Sequence, residues 1–122
     1  MVGVSIQLKG DKKLLRELER LQRTAPEVVG DAVEEEAHKL LSESVREVPV
    51  DTGRLRSSGF VQRRGQTSEV GYATDYAIFV HERTELRHPV GKAKFLEDPF
   101  KRMIRGYFER LAKRVRQRLG TR

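Results

Sequence analysis

The hydrophobic residues at the start of the chain follow two different periods. Residues 2–8 alternate between hydrophobic and small or polar side chains, the pattern of a β-strand with one buried face; the hydrophobic ones are Val2, Val4, Ile6 and Leu8. Gly10 breaks the alternation, and Asp11 is suited to cap a following helix. Leucines then recur on one side of a short predicted helix, at Leu14, Leu15, Leu18 and Leu21.

A second and longer helix is predicted from about Thr24 to Glu47. The sequence Thr24-Ala25-Pro26-Glu27 fits a capping box, and proline is tolerated in the first turn of a helix. Its hydrophobic face comprises Val29, Val33, Ala37, Leu40, Leu41, Val45 and Val48. The acidic run Glu34-Glu35-Glu36 is interpreted as a solvated face rather than a metal site. Pro49 ends the helix.

The middle of the chain predicts a turn and two strands. Val50-Asp51-Thr52-Gly53 is typical of a turn, in which we expect Gly53 to supply a backbone conformation that other residues resist. Residues 54–64 and 69–73 are predicted strands joined by the polar turn Gly65-Gln66-Thr67-Ser68. A brief helix is predicted at residues 76–80, capped by Asp75, and residues 82–94 predict a loop.

One long amphipathic helix is predicted from about Asp98 to Leu119. Its hydrophobic stripe comprises Phe100, Met103, Ile104, Tyr107, Phe108, Leu111, Val115 and Leu119. We expect this stripe to pack on the sheet and on the hydrophobic face of the second helix. The order of elements therefore predicts one α+β domain over residues 1–122, with helices packed on a small antiparallel β-sheet and a long C-terminal helix.

The amino-acid composition of the chain excludes several classes of function. The chain of 122 residues has no cysteine, which excludes disulfides, thiolate metal sites and cysteine nucleophiles. No apolar run approaches the roughly 18 residues of a membrane helix, and no secretory signal precedes the first strand. We therefore expect a protein made in the cytoplasm, with no membrane partner.

The net charge of +7 is concentrated at the end of the chain, where residues 101–122 carry nine basic residues against one acidic residue. The predicted contact surface comprises Arg102, Arg105, Arg110, Lys113 and Arg116. Three interpretations stay open. The surface contacts an acidic partner, such as Glu34–Glu36 of a neighbouring copy; it contacts DNA phosphates; or it only solvates the helix.

Two catalytic interpretations are weak. Asp51-Thr52-Gly53 matches the tripeptide of homodimeric aspartic proteases, in which two carboxylates share a proton. Here Arg54 and Arg56 follow it, and nearby arginines hold a carboxylate ionised, which opposes proton sharing. The residues Asp75, His81, Glu82 and His88 match no metal-ligand or hydrolase spacing.

Several segments together carry a resemblance to a known family. Val48-Pro49-Val50-Asp51-Thr52-Gly53-Arg54-Leu55-Arg56-Ser57-Ser58 resembles the "aPvDTGrLr-S" signature of small tail components of long-tailed bacteriophages. The second strand, Tyr76-Ala77 and its hydrophobic neighbours, and Phe95-Leu96 follow in the order that the family shows. The resemblance covers roughly residues 12–112. His81 and Arg83 depart from it, at positions where the family has glutamate and glycine.

The resemblance implies a structural role at the phage neck or the head-facing end of the tail, in the tail-completion or head–tail joining class. It implies a ring of copies of the chain or a copy bound to a ring, contacts with neighbouring neck and tail proteins, and a channel for DNA. It also implies no cofactor, no reaction and no small-molecule substrate. It also implies that the signature residues are architectural: Pro49, Asp51, Thr52, Gly53, Leu55, Tyr76, Ala77, Phe95 and Leu96. A DNA-binding module that uses the basic C-terminal helix remains the alternative, and the aspartic protease a remote one.

Overall fold

The computed structural model describes residues 12–49, 53–73 and 94–120. Two helices open the described chain, α1 over Lys12–Thr24 and α2 over Pro26–Glu47, and both confirm the leucine and valine patterns. The expected capping box is wrong. Ala25 is the N-cap of α2, and the Thr24 hydroxyl donates backwards to the carbonyl of Arg20 at 3.0 Å. Pro26 occupies the first turn, where its missing N–H costs nothing.

The segment after Pro49 begins with a helix instead of a strand. A short helix α3 spans Gly53–Ser57, so the strand predicted from residue 54 starts only at Gly59. Leu55 explains the difference, because the helical turn buries its side chain to 2% exposure in the core. The strands are β1 over Gly59–Arg64 and β2 over Thr67–Tyr72, paired antiparallel. They are joined by Gly65-Gln66, and Gly65 takes the positive φ of 61° at the first position of this two-residue turn.

The predicted C-terminal helix is divided into two. Helix α4 spans Glu97–Met103 and helix α5 spans Tyr107–Arg118. Gly106 has a φ of 66°, and this left-handed conformation ends the helical hydrogen bonding of α4 before α5 begins. Leu119, the last member of the predicted stripe, lies outside α5 and is 44% exposed.

The break distributes the hydrophobic stripe between two core clusters. Phe100 and Met103 of α4 pack beside the C-terminal half of α2 and the strand β2. Leu111 and Val115 of α5 pack instead between α1 and the N-terminal half of α2. The stripe therefore reaches the face of α2, as expected, but α5 rests on helices rather than on the sheet.

Helix α2 is the central element, because the hairpin, α1, α4 and α5 all pack on it. Arg63 of β1 fastens the hairpin to α2 by pairing with Asp31 at 2.5 Å and with Glu34 at 3.4 Å. The α+β class, with helices on a small antiparallel sheet, is confirmed. The strand predicted at residues 2–8, the helix at 76–80 and the loop at 82–94, apart from Lys94, lie outside the described residues.

Candidate functional site

The structure places the described signature residues mostly in the interior. Leu55, Phe95 and Leu96 belong to one buried cluster with exposures of 2%, 0% and 2%, and Pro49 is buried beside Val48 in the sequence. The signature residues Asp51, Thr52, Tyr76 and Ala77 lie outside the described residues. The described hydrophobic residues of the signature thus pack in the core, which explains why these positions are hydrophobic.

Tyr72 organises this cluster. Its hydroxyl lies 2.8 Å from the Ser44 hydroxyl in a fully buried hydrogen bond between β2 and α2. Its ring meets the edge of Phe95 with centroids 5.0 Å apart. Burial raises the pKa of the Tyr72 phenol, so it is a neutral hydrogen-bonding group near neutral pH.

Gly53 does not play the part that its place in the signature suggested. We expected it to supply a backbone conformation that other residues resist. Gly53 is instead the first residue of α3, it has no positive φ, and a Cβ atom there would meet nothing within 4 Å. The described glycines with positive φ are Gly65, Gly106 and Gly120.

The acidic run of α2 is not a solvated face. Glu36 is only 5% exposed, and its Oε1 accepts a hydrogen bond from Arg110 Nε at 2.8 Å. The same guanidinium donates to the carbonyls of Met103 at 2.5 Å and Arg105 at 2.6 Å. Arg110 therefore joins α2 to the turn between α4 and α5. Near it, burial raises the pKa of Tyr107, and the negative charge of Glu36 adds to that effect.

Other cations of the C-terminal segment are also paired within the chain. Arg114 and Arg118 both contact Glu35. Of the predicted contact surface, Arg102 pairs with Glu47 and Arg116 with Glu17, at 2.6 Å each. The acidic run that we imagined on a neighbouring copy is thus met by the chain's own arginines.

Two members of the predicted contact surface differ from the other three. Arg105 and Lys113 are exposed and form no ion pair with another described residue. Arg102, Arg110 and Arg116 combine some exposure with an intrachain pair. The contact surface stays a prediction, with Arg105 and Lys113 as its most available charges.

Sequence reasoning missed a second basic surface, on α1. At 100° per residue its basic residues occupy one arc of about 100°, opposite the leucines. This α1 basic face comprises Lys12, Lys13, Arg16, Arg20 and Arg23, and all five are exposed. The signal was present as the four-residue spacing of Lys12, Arg16 and Arg20, but the net acidity of residues 1–50 concealed it.

The α1 basic face continues towards α5. Glu17 lies at its border and is held by both oxygens to Arg116, at 2.9 and 2.6 Å. The hydrogen bond from Arg116 holds the pKa of Glu17 below its ordinary value, and the charges of Arg20 and Lys13 act in the same direction. One carboxylate is thus surrounded by several cations, so the local surface is strongly positive.

Within the described ranges, no group of three or more histidine or carboxylate side chains is placed to hold a metal ion. No helix in that part of the chain is both long enough and apolar enough to cross a membrane.

Comparison with known proteins assigns the family. Residues 12–82, more than half of the chain, match the family described as "Bacteriophage HK97-gp10, putative tail-component". The match starts at the first residue of α1 and includes α2, the segment Val48–Ser58 and the hairpin, whereas Phe95 and Leu96 lie beyond it. No curated protein and no solved structure matches the chain significantly. A tail component is part of the virion and contacts other virion proteins, and this chain belongs to the HK97-gp10-like family of bacteriophage tail components.

Proposed function

We propose that the protein is a non-enzymatic structural subunit of the phage head–tail interface, in the tail-completion, neck or tail-terminator class. It acts by binding other copies of itself in a ring and by binding neighbouring virion proteins. It is made in the host cytoplasm and ends in the virion at the neck or the head-facing tip of the tail.

The observation that carries this proposal is the use of the signature for packing. Leu55, Phe95 and Leu96 are buried in the core around Tyr72, which supports an architectural role for these signature residues. What the described chain presents outward is charged surface, and such surfaces serve recognition. The predicted contact surface and the α1 basic face are the regions that we assign to neighbouring subunits.

Deletion of the gene from its phage tests the proposal. We expect filled heads and finished tails to accumulate separately, and the protein supplied in trans should restore joined particles. Mass spectrometry of purified virions should detect the chain, and electron microscopy should locate an epitope tag at the neck. Normal virions without the protein, or a tag along the tail shaft, would contradict the assignment to the interface.

A second function, contact with DNA, is favoured by the α1 basic face. Lys12, Arg16, Arg20 and Arg23 are exposed and form no ion pair with another described residue, so they are available to phosphates. The C-terminal helix is less suited, because several of its arginines already bind carboxylates. Binding to duplex DNA should then weaken steeply with salt and be lost in Arg16→Glu/Arg20→Glu. If that variant bound DNA as tightly as the natural chain does, the α1 basic face would be excluded as the DNA contact.

A further inference from the structure

A groove runs along the outer edge of β2. Its floor is the hydrophobic face of α2, including Val33 and Ala37, and its far wall carries Met103, Tyr107 and Phe108. One section has a volume of about 310 Å³, and a second, of about 350 Å³, continues towards Leu15 and Leu18 of α1. Both sections share Val33, Ser68, Tyr107 and Phe108. We call this feature the β2-edge groove.

The backbone of β2 faces into this groove with its hydrogen-bonding groups. In an antiparallel pair, alternate residues direct their N–H and C=O groups to opposite sides. The N–H of Ala73 donates to the carbonyl of Ser58 at 3.2 Å, which fixes the alternation. Ser68 and Val70, which line the groove, therefore direct their backbone groups away from β1, where no described strand pairs with them.

Two buried polar side-chain atoms in the β2-edge groove also lack hydrogen-bond partners among the described residues. The hydroxyl of Ser68 and Oε2 of Glu36 are both buried, both belong to residues that line the groove, and neither has a hydrogen-bond partner among the described residues. Glu36 is 5% exposed as a whole. Buried polar atoms are almost always satisfied in a finished structure. A strand edge, an apolar floor and unsatisfied polar atoms together indicate a site for an added β-strand.

We propose that the β2-edge groove is occupied by residues 2–8 of the same chain. The position fits, because α1 begins at Lys12 and Leu15, about 4.5 Å further along its axis, already lines the groove. The length fits too: seven extended residues span about 23 Å, against about 20 Å for the six residues of β2.

The alternation of hydrophobic and polar residues in residues 2–8 matches a site with an apolar floor on one side and solvent on the other. Val2, Val4, Ile6 and Leu8 would face the apolar floor on α2, while Ser5 and Gln7 would face solvent. The added strand also covers an edge that would otherwise be open to aggregation, and it enlarges a two-stranded sheet, which is marginal alone.

The alternation supplies a matched pair of variants. Val4→Asp/Ile6→Asp places two carboxylates against the apolar floor, whereas Ser5→Asp/Gln7→Asp adds the same charge to the same segment on its outer side. Amide hydrogen exchange at Ser68 and Val70 is the readout. We expect exchange at least about tenfold faster in the first variant and in a chain lacking residues 2–9, with no change in the second. Unchanged exchange in the shortened chain would overturn the proposal and leave another segment, such as residues 74–93, as the occupant.

Cysteine pairs identify whose segment fills the groove, because the natural chain has no cysteine. Ile6→Cys combined with Ser68→Cys or with Val70→Cys should give an intramolecular disulfide in one of the two pairs. Ile6→Cys with Gln62→Cys on β1 is the control and should not close. A disulfide-linked dimer at low protein concentration would overturn the same-chain occupant in favour of exchange between copies. None of these measurements needs a phage particle, so they are independent of the proposed role in assembly.

Discussion

Gly106 is the residue on which the division of the C-terminal segment depends. Its φ of 66° is a conformation that costs about 1–2 kcal/mol for a residue with a Cβ atom. An added Cβ would meet Arg110 Nη1 only at 3.6 Å, so the cost is conformational and not a clash. Gly106→Ala should lower the free energy of unfolding by about that amount in urea titrations.

Gly53→Ala is the control for that experiment, because Gly53 has open space around it and no positive φ. We expect a free energy of unfolding that is unchanged or raised by up to about 1 kcal/mol. Equal losses in the two variants would mean that α4 and α5 are not separated by the conformation of Gly106.

The hydrogen bond between Ser44 and Tyr72 offers a second test at the scale of residues. Tyr72→Phe keeps the ring contact with Phe95 but leaves the buried Ser44 hydroxyl without its partner, at a cost of about 1–3 kcal/mol. The double variant Ser44→Ala/Tyr72→Phe should be more stable than Tyr72→Phe alone, because neither polar group then remains. A double-mutant cycle from urea titrations measures this coupling, and additive losses would contradict it.

At the scale of elements, Arg110 connects α2 to the turn between α4 and α5. Arg110→Met would leave the Glu36 carboxylate buried without its principal partner, and the carbonyls of Met103 and Arg105 would lose a donor. We expect a loss of about 2–4 kcal/mol, below the range for a fully buried pair because Arg110 is 30% exposed. Arg116→Met breaks a more exposed pair and should cost less stability than Arg110→Met.

Glu36→Gln/Arg110→Met should recover part of the Arg110→Met loss, since it removes the isolated charge. Thermal unfolding of the three variants provides the comparison. If Arg110→Met and Arg116→Met have the same stability, Arg110 does not join these elements.

The elements that the sequence predicted well are those with long, repeated patterns. Helices α1 and α2 follow from leucines and valines at helical spacing over several turns. Helix α3 was missed because five residues are too few to show a period, and Leu55 becomes helical through burial in a core assembled from distant segments. The break at Gly106 was missed because the hydrophobic stripe continues across it, and a single glycine is tolerated within many helices.

At the scale of the whole molecule, the sequence predicts the net charge but not which charged side chains pair with each other. The acidic run of α2 and the arginines of α5 are separated by more than seventy residues, as in the bond from Arg110 to Glu36. No local pattern links them, so the acidic run was interpreted as solvated and the contact made by the arginines stayed open. The resemblance gave the family correctly, because short signature segments survive as sequence even where their side chains are buried.

The ion pairs of Glu17, Asp31 and Glu97 predict a loss of stability in acid. Hydrogen bonds from Arg116 and Arg63 hold the pKa values of Glu17 and Asp31 below their ordinary values of 4.5 and 3.8, and Lys101 and Lys94 do so for Glu97. A lowered folded-state pKa contributes stability that is present above the unfolded-state pKa and is lost as pH falls through the folded-state pKa. The midpoint of thermal unfolding should therefore be constant near neutral pH and fall below about pH 4.5.

The control for the acid prediction is salt. All three carboxylates lie near the surface, so about 1 M salt should weaken their pairing and reduce the difference between neutral and acid midpoints. A midpoint that does not change between pH 7 and pH 3 would contradict the stabilising role of these ion pairs.

Assembly itself distinguishes the two outward basic surfaces. Lys12→Glu/Arg16→Glu reverses two charges of the α1 basic face, and Arg105→Glu/Lys113→Glu reverses the two most available charges of the predicted contact surface. None of the four forms an ion pair with another described residue, and an acidic residue at position 12 suits the first turn of α1, so both variants should keep the stability of the natural chain. We expect each to reduce the yield of infectious particles in complementation of a gene deletion.

Particles that join but fail to retain or eject DNA would favour channel contact, whereas separate heads and tails would favour contact between subunits. Normal yields from both variants would show that these charges only solvate the protein, and the contact surfaces would then have to lie elsewhere.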